Sequence, residues 1–508
     1  MAWAQVTEAA MDFGVKQGSL TEVECDVLIV NLFEGLKEPG GATGAVDKAL
    51  GGAITSRIAE EEFEGKLGDI LVVRPCVEFP AKKVLVVGLG KQDELGVPEI
   101  MRAAAVAGRK SRELRAKNVA SVLHGAGAAG LSPMDCSRAV VFGTMLGTYE
   151  FIHWKTEKAK ENSIEMFEIV ELSAEKFDEI ERGIEVAKII GDAVIFTRDL
   201  VNEPSNVVTP TYLADLAQSI AGEGNMRCRV MDRKEFEAEG FGLYAAVARG
   251  AAVEPKFIEM RYESPGAKKT VAIIGKGITY DTGGYSLKSS EHMYGMKDDM
   301  SGAAAVLAAM RALPQFKPEV NVIGLIPATE NAIGNVAIHP GDIFKSYSGK
   351  TVEVTNTDAE GRLTLGDAVA YANELGADEI IDLATLTGAC VTALGREISG
   401  IFGTKQELVD QLIAAGRLTG EQMWQLPLHL DYKEHLKSDV ADLRNAERGG
   451  PGAILGALFI HAFADDTPWV HIDLSSTVID KDVHLAKKGS TGIGAGTLIQ
   501  YLMGYAKG

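Results

Sequence analysis

VAIIGKGITYDTGGYSLKSSEHMYGMKDDMSGAAAV, residues 271–306, runs from an apolar strand through a charged loop into a helix of small residues. Val271–Ile274 is a continuous apolar run of the length of a buried strand, while the alanines after Ser301 favour helix. Between them, Lys276 follows the apolar run, Asp281 stands just before Gly283-Gly284, Lys288 follows Ser-Leu, and Asp299 closes the loop. A strand delivering charged residues to a loop that opens a helix is the building unit of an α/β sheet.

The same alternation extends in both directions. Downstream, VNVIGLIPA (320–328), TVEVTN (351–356), EIIDLATL (379–386) and WVHIDL (469–474) read as further strands, separated by helices at 301–313 and 363–375. Upstream, CDVLIV (25–30), DILVV (69–73), KVLVVGLG (83–90) and NVASVLHG (118–125) read as strands, with helices near 44–62, 97–116 and 132–147. Residues 173–200 repeat apolar positions every three to four residues after Ser173, which predicts a helix with Ser173 as its N-cap. The expected fold is therefore α/β with two domains: a smaller N-terminal α/β domain over 1–170, a connecting helix over 171–200, and a larger C-terminal α/β domain over 201–508 with a mixed, mostly parallel sheet. A chain of 508 residues exceeds one ordinary core, which agrees with two domains.

Composition narrows the function classes. Hydrophobic residues make up 46% and the formal net charge is −20, a surface that repels phosphate backbones and anionic lipid. The five cysteines (Cys25, Cys76, Cys136, Cys228, Cys390) never form a CxxC pair, so they read as buried free thiols in a reducing compartment. No apolar signal segment is visible near the N-terminus, and the apolar run 449–464 falls short of the ~20 residues a bilayer needs. A cytoplasmic protein with neither membrane nor nucleic acid as partner is expected. GLGK (88–91) lacks the spacing of a phosphate loop and reads as a tight turn. His124, His339 and His461 read as structural, and Trp424 as core or interface.

A second charged segment, VTNTDAEGRLTLGDA (354–368), matches the first. Asp358 and Glu360 lie two apart and share a face if the segment is extended, and Arg362 follows a glycine that lets the backbone turn. Taken singly, each charge reads as a solvated strand end. Together they gather at strand C-termini, where open α/β sheets place ligand sites. Three Asp and a Glu that converge do not all stay ionised without cations, so divalent metal is the natural neutraliser. Neither HExxH nor a Cys/His cluster is present, and oxygen-rich ligation suits a pair of Mn²⁺, Mg²⁺, Co²⁺ or Zn²⁺ ions.

NTDAEGRL (356–363), together with the spacing of Lys276, Asp281, Lys288 and Asp299 and with VNEPSN (201–206), ATLTGA (384–389) and the strand His471-Ile472-Asp473, resembles the leucyl (cytosol) aminopeptidase family. The resemblance covers the chain from about 190 onward and is weaker in 1–170. It implies a two-metal aminopeptidase that removes N-terminal residues from peptides by metal-bound hydroxide attack. Asp281 and Glu360 would bridge the ions, Asp358 would complete one site, and Lys276 with Asp299 the other. Lys288 would stabilise the oxyanion, and Arg362 would hold a bicarbonate. The implied side-chain pocket comprises Met296, Asn356, Thr385, Gly388, Ser475 and Val478, suited to Leu, Met and other apolar residues. The implied cofactors are two divalent ions per subunit, Mn²⁺ or Zn²⁺ with Mg²⁺ or Co²⁺ as alternatives, and the implied assembly is a homohexamer. Ser475 and GGYS (283–286) resemble the peptidase B branch, which keeps a narrow-scope dipeptidase or an acidic-residue preference as alternatives. A DNA-binding accessory role, found in some relatives, is the alternative of a different class. The stretch 479–488, IDKDVHLAKK, carries no readable motif.

Overall fold

The computed structural model describes residues 11–127, 130–156, 164–447 and 449–506. The chain divides into two compact units, one taking in residues up to Gly191 together with Lys481–Lys488, the other Asp192–Asp480 and Gly489–Gly508. Both are α/β.

In the first unit the described strands are β1 (Asp12–Gln17), β2 (Val27–Leu32), β3 (Ile70–Val73), β4 (Val84–Gly88), β5 (Asn118–Val122) and β6 (Met166–Glu171). They form one sheet in the order β1-β6-β5-β2-β4-β3, parallel throughout except for the edge strand β3. Fully buried Val and Ile in β2 and β4 are what a sheet covered on both faces requires. The helix expected over 44–62 is two helices, Gly41–Ala49 and Ala53–Glu60, because Gly51 and Gly52 both take left-handed φ (65° and 85°). Lys481–Lys488 of the IDKDVHLAKK stretch belongs to this unit: Arg109 Nη2 donates to the carbonyls of Val483 (3.1 Å) and His484 (3.0 Å), and Lys487 pairs with Glu150 at 3.0 Å.

The second unit adds β7 (Arg227–Met231), β8 (Lys256–Tyr262), β9 (Thr270–Gly275), β10 (Gly277–Asp281), β11 (Asn321–Asn331), β12 (Ile343–Lys345), β13 (Thr351–Glu353), β14 (Glu379–Ala384), β15 (Ile398–Gly403), β16 (Gln422–Gln425), β17 (Leu443–Arg444), β18 (Trp469–Asp473), β19 (Val478–Ile479) and β20 (Gly489–Ser490). Its large sheet runs β16-β15-β18-β14-β9-β11-β8-β7, with β10 paired to β11. The central strands β18, β14, β9 and β11 are parallel, and antiparallel pairs at β15–β18, β11–β8 and β7–β8 make the sheet mixed. β12, β13 and β17 form a small separate ribbon.

Parallelism places the C-terminal ends of β9, β14, β18 and β11 at one edge, so Lys276, Thr385, Asp473 and Asn331 emerge together. Close packing tightens that edge. A Cβ on Gly302, early in the helix Ser301–Phe316, would lie 2.2 Å from Leu383 O, and one on Gly275 would lie 2.3 Å from Gly302 O. Only glycine lets this helix start seat directly on the strand ends, where Lys276 N donates to Leu383 O and Ala303 N to Lys276 O, each at 3.0 Å. The helix Glu360–Glu374 is held from below by Tyr371, whose ring packs with Phe241 and Phe257 at 5.1 and 5.8 Å and whose hydroxyl donates to Glu259 at 2.8 Å. Aromatic pairs of this kind contribute about 0.5–1.5 kcal/mol each beyond area burial.

Several sequence expectations need correction. Ser173 makes no side-chain cap; a short 3-10 turn, Ala174–Lys176, precedes the helix Phe177–Asn202. The strand expected over 270–278 breaks at Lys276, and TVEVTN is strand only over Thr351–Glu353. Trp424 is 64% exposed, so it is not core, and Cys76 is exposed while Cys25, Cys136 and Cys390 are buried. Gly90 takes φ 72°, the tight turn expected of GLGK. Among the described residues no helix is long and apolar enough to cross a membrane.

Candidate metal centre

The breaks in regular structure fall where the chemistry gathers. Lys276 sits between β9 and β10, Asp281 ends β10, Asp299 follows a 3-10 turn (Met296–Asp298), and Glu360 is the first residue of its helix with Asp358 just before it. Carboxylate oxygens of Asp281, Asp358 and Glu360 all lie within 4.8 Å of one another. Lys276 Nζ is 2.7 Å from Asp299 Oδ1, 2.8 Å from Glu360 Oε1 and 2.9 Å from Thr385 O. Lys288 Nζ is 2.8 Å from Asp281 Oδ2 and 2.5 Å from Asp358 Oδ1, the latter an ion pair without hydrogen-bond geometry. All five residues expected as ligands, and Lys288, thus converge on one place.

The local sequence makes this geometry. Gly361 faces Lys276, and a Cβ there would lie 2.6 Å from its Cε, so glycine alone admits the lysine beside the helix start. Gly283 and Gly284 take φ of 84° and 60°, turning the chain so that Gly283 N donates to Asp281 Oδ1 at 2.9 Å. Thr357 locks that turn to the DAEGR loop, donating to Gly283 O at 2.7 Å and accepting from Ser286 N at 2.8 Å.

Burial sets the electrostatics. It pushes the carboxyls of Asp299, Glu360 and Asp358 above their ordinary values, and Asp281 adds to the rise in each. Burial also works against the ammonium groups of Lys276 and Lys288, but the surrounding carboxylates outweigh it and hold both above the usual lysine value. Asp298, next to the cluster, is raised by burial to about 6.

The residues fit divalent ions. The donor set is rich in oxygen and carries four buried or half-buried carboxylates, and Asp299 Oδ2 is buried with no hydrogen-bond partner among the described residues. Arg362 is 8% exposed; its Nη1 donates to Asn445 O at 3.0 Å, while its buried Nε has no partner among the described residues, a spare donor suited to a small anion.

The residues expected to form a side-chain pocket are placed less uniformly. Thr385 Oγ1 donates to Asp299 Oδ1 at 2.6 Å, and Asn356 Oδ1 accepts from Asp358 N at 2.9 Å, so both touch the cluster. Ser475 is buried and directs its hydroxyl at Cys390 Sγ, 3.1 Å away. Met296 lies in the 3-10 turn, Gly388 is the exposed first residue of the helix Gly388–Leu394, and Val478 is in β19. Among the described residues no hydrogen bond joins these three to the cluster.

Two residues to which the sequence reading gave no role belong here: Asn331, which it did not name, and Asp473, which it named only within the strand His471-Ile472-Asp473. Asn331 Nδ2 donates to Asp281 Oδ1 (2.8 Å), Thr357 O (3.0 Å) and Glu360 Oε2 (3.4 Å), orienting two carboxylates at once. Asp473 accepts from Leu386 N, Thr387 N and Thr387 Oγ1 at 3.2, 3.2 and 2.6 Å, fixing the loop that follows β14. The signal available for both was their position at the end of a buried strand.

Comparison with known proteins agrees over nearly the whole chain. The family model described as the catalytic domain of the cytosol aminopeptidase family matches residues 195–499, and that of the family's N-terminal domain matches 29–158. A protein of Alkaliphilus metalliredigens named "Probable cytosol aminopeptidase" is 38% identical over 494 residues, covering 96% of this chain and 99% of its own. One of the same name from Geobacter sp. is 42% identical over 479 residues, covering 94% and 96%. Among solved structures, a mutant of tomato leucine aminopeptidase superposes with a TM-score of 0.88 at 33% identity, covering 98% of this chain and 97% of that one. The bottromycin maturation enzyme BotP in complex with Mn gives 0.83 at 30% identity, covering 94% and 99%.

Proposed function

The chain belongs to the cytosol aminopeptidase family and is a metal-dependent aminopeptidase; from that premise we propose that it uses two divalent ions, held by Asp281, Asp299, Asp358 and Glu360 and by Lys276 as the neutral amine once an ion displaces its proton, to release apolar N-terminal residues such as Leu and Met from peptides. The observation that carries the two-ion reading is the cluster itself: three carboxylates within 4.8 Å, a fourth with an unpartnered oxygen, and a buried lysine among them. Asp281 and Glu360 fit a bridging role because Asp281 pairs with Lys288, Glu360 pairs with Lys276, and Asn331 Nδ2 donates to both carboxylates, which puts them between the two lysines. Mn²⁺ is favoured by the complex of BotP with Mn, and Zn²⁺ is the second choice.

When bound, the ions would polarise the scissile carbonyl and acidify a water. The chain's own residues supply the rest. Lys288, whose ammonium form the neighbouring carboxylates favour, lies beside them, where it can hydrogen-bond negative charge developing on the carbonyl oxygen. Arg362, with its spare Nε, would hold bicarbonate or a similar planar anion to pass a proton. Met296 and Val478 favour an apolar residue at the N-terminus of the substrate, with Asn356, Thr385, Gly388 and Ser475 as the remaining wall. A homohexamer in the cytoplasm completes the reading; it rests on family likeness. The test is a panel of aminoacyl amides assayed with Mn²⁺, Zn²⁺, Co²⁺ or EDTA. Leu and Met amides should be hydrolysed fastest with metal and not with EDTA; a clear preference for Asp and Glu amides would overturn the apolar assignment.

A further inference from the structure

We propose that Asn445, ninety residues along the chain from the metal-ligand loop, is a positioning residue that fixes Asp358, Glu360 and Arg362 together. The proposal rests on the ligand assignment above.

Asn445 is fully buried and follows β17, in a polar stretch (ADLRNAERGG, 441–450) without motif or periodicity. β13 and β17 pair in parallel, Val352 with Leu443 and Glu353 with Arg444. Asn445 N donates to Glu353 O at 3.0 Å, the last backbone rung before the first chain turns away to become the NTDAEGR loop. From there the carboxamide takes over. Its oxygen accepts from Thr355 N (2.8 Å), Asn356 N (3.2 Å) and Thr355 Oγ1 (3.2 Å), and its nitrogen donates to Asn356 O (2.7 Å) and Ala359 O (3.3 Å). The backbone carbonyl of the same residue accepts from Arg362 Nη1 at 3.0 Å.

The side chain therefore acts as a peptide group inserted where the loop has no strand partner. Asn356 and Ala359, the two carbonyls it holds, flank Asp358, whose own N–H is fixed by Asn356 Oδ1. Glu360 follows at once as the first residue of its helix. Left unpaired, these loop groups would be polar atoms without partners. The job needs a donor and an acceptor on one planar group at this reach. Asp lacks the donor, Leu lacks both, and Gln is one methylene longer. Outer partners of ligands typically change metal affinity or activity by about 10–100-fold when replaced.

The test compares Asn445→Asp with Asp442→Ala. Asp442 accepts from Thr351 N and Oγ1, both at 2.8 Å, at the far end of the same ribbon, and so serves as a control for ribbon stability. Mn²⁺ titration calorimetry, amide exchange at Thr355 and Asn356, and kcat and KM on leucine amide are measured for each. Asn445→Asp loses the donations to Asn356 O and Ala359 O but keeps the oxygen that accepts from Thr355 N and Asn356 N. It should therefore lower Mn²⁺ affinity by about 10–100-fold and reduce kcat with little change in KM, while both amides stay protected from exchange. Asp442→Ala should leave Mn²⁺ affinity and kcat unaltered. A folded Asn445→Asp protein with unaltered Mn²⁺ affinity, or a control that loses as much, overturns the proposal. If Asn445→Asp does not fold, Asn445→Gln carries the same test, and unaltered Mn²⁺ affinity in it is equally fatal. Failure of the unaltered protein to bind Mn²⁺ at all would instead overturn the ligand assignment, and the proposal with it.

Discussion

Replacing Lys288 by Ala separates chemistry from metal binding. Its ammonium, with 15% of the side chain exposed, is paired with Asp281 and Asp358 and held charged by them. An ammonium about 4 Å from a developing negative charge, at an effective dielectric near 20, contributes roughly 4 kcal/mol. Loss of one comparable oxyanion donor costs on the order of 10²–10³ in rate, or about 2.7–4 kcal/mol. Lys288→Ala should therefore lower kcat by about that factor while KM moves little. Because Lys288 is a cation competing for two of the proposed ligands, its removal should leave Mn²⁺ affinity equal or tighter. Steady-state hydrolysis of leucine amide, paired with Mn²⁺ calorimetry, reads both. A Lys288→Ala protein with kcat within about twofold of the unaltered enzyme would refute the oxyanion role, and one that loses its metal would make Lys288 a structural part of the site.

Replacing Asp281 or Glu360 by Ala should abolish both ions together, whereas Asp358→Ala should spare the ion on the Lys276 side; elemental analysis of the purified proteins checks this, and two ions per chain in Asp281→Ala would end the bridging assignment. Arg362→Ala should cost less rate than Lys288→Ala and recover in part with added bicarbonate, as measured by kcat against bicarbonate concentration. Buried His471 pairs with Asp382 at 2.6 Å; burial opposes its charge, but Asp382 wins and raises its pKa above 6.5. The stabilisation is fully present below about 6.5, the unfolded value, and is lost as pH rises through the higher folded value. Urea unfolding in EDTA from pH 6 to 9 should show stability falling with pH, and Asp382→Asn should remove this component of the slope while costing about 3–5 kcal/mol at pH 6.

What the sequence disclosed, and what it hid, follows from where each signal resides. Lys276 and Asp281 were legible because a charge interrupts an otherwise buried apolar strand, a local anomaly that burial makes expensive. The helices 97–116 and 132–147 were legible from apolar spacing, and the structure has them at Val97–Glu113 and Pro133–Thr148. β7 and β8 were missed for the opposite reason. RCRVM and KFIEMRY carry charges within the strand, and Glu259 is tolerated there only because Arg261 and Tyr371 pair with it. β15 and β16, at the edge of the large sheet, are short and glycine-bearing or polar, with no period to read. Asn331 and Asn445 were hidden because an asparagine has no pattern of its own. The meaning of Asn331 comes from carboxylates 29 and 50 residues away, and that of Asn445 from a loop 86–90 residues away.

The central claim is that the cluster of Lys276, Asp281, Asp299, Asp358 and Glu360 holds two ions on which hydrolysis depends. Chelator-treated protein titrated with Mn²⁺, with leucine amide hydrolysis followed at each addition, tests it most directly. The account predicts no hydrolysis before metal is added and full activity at two equivalents per chain. Full activity in EDTA, or saturation at a single equivalent, would contradict it.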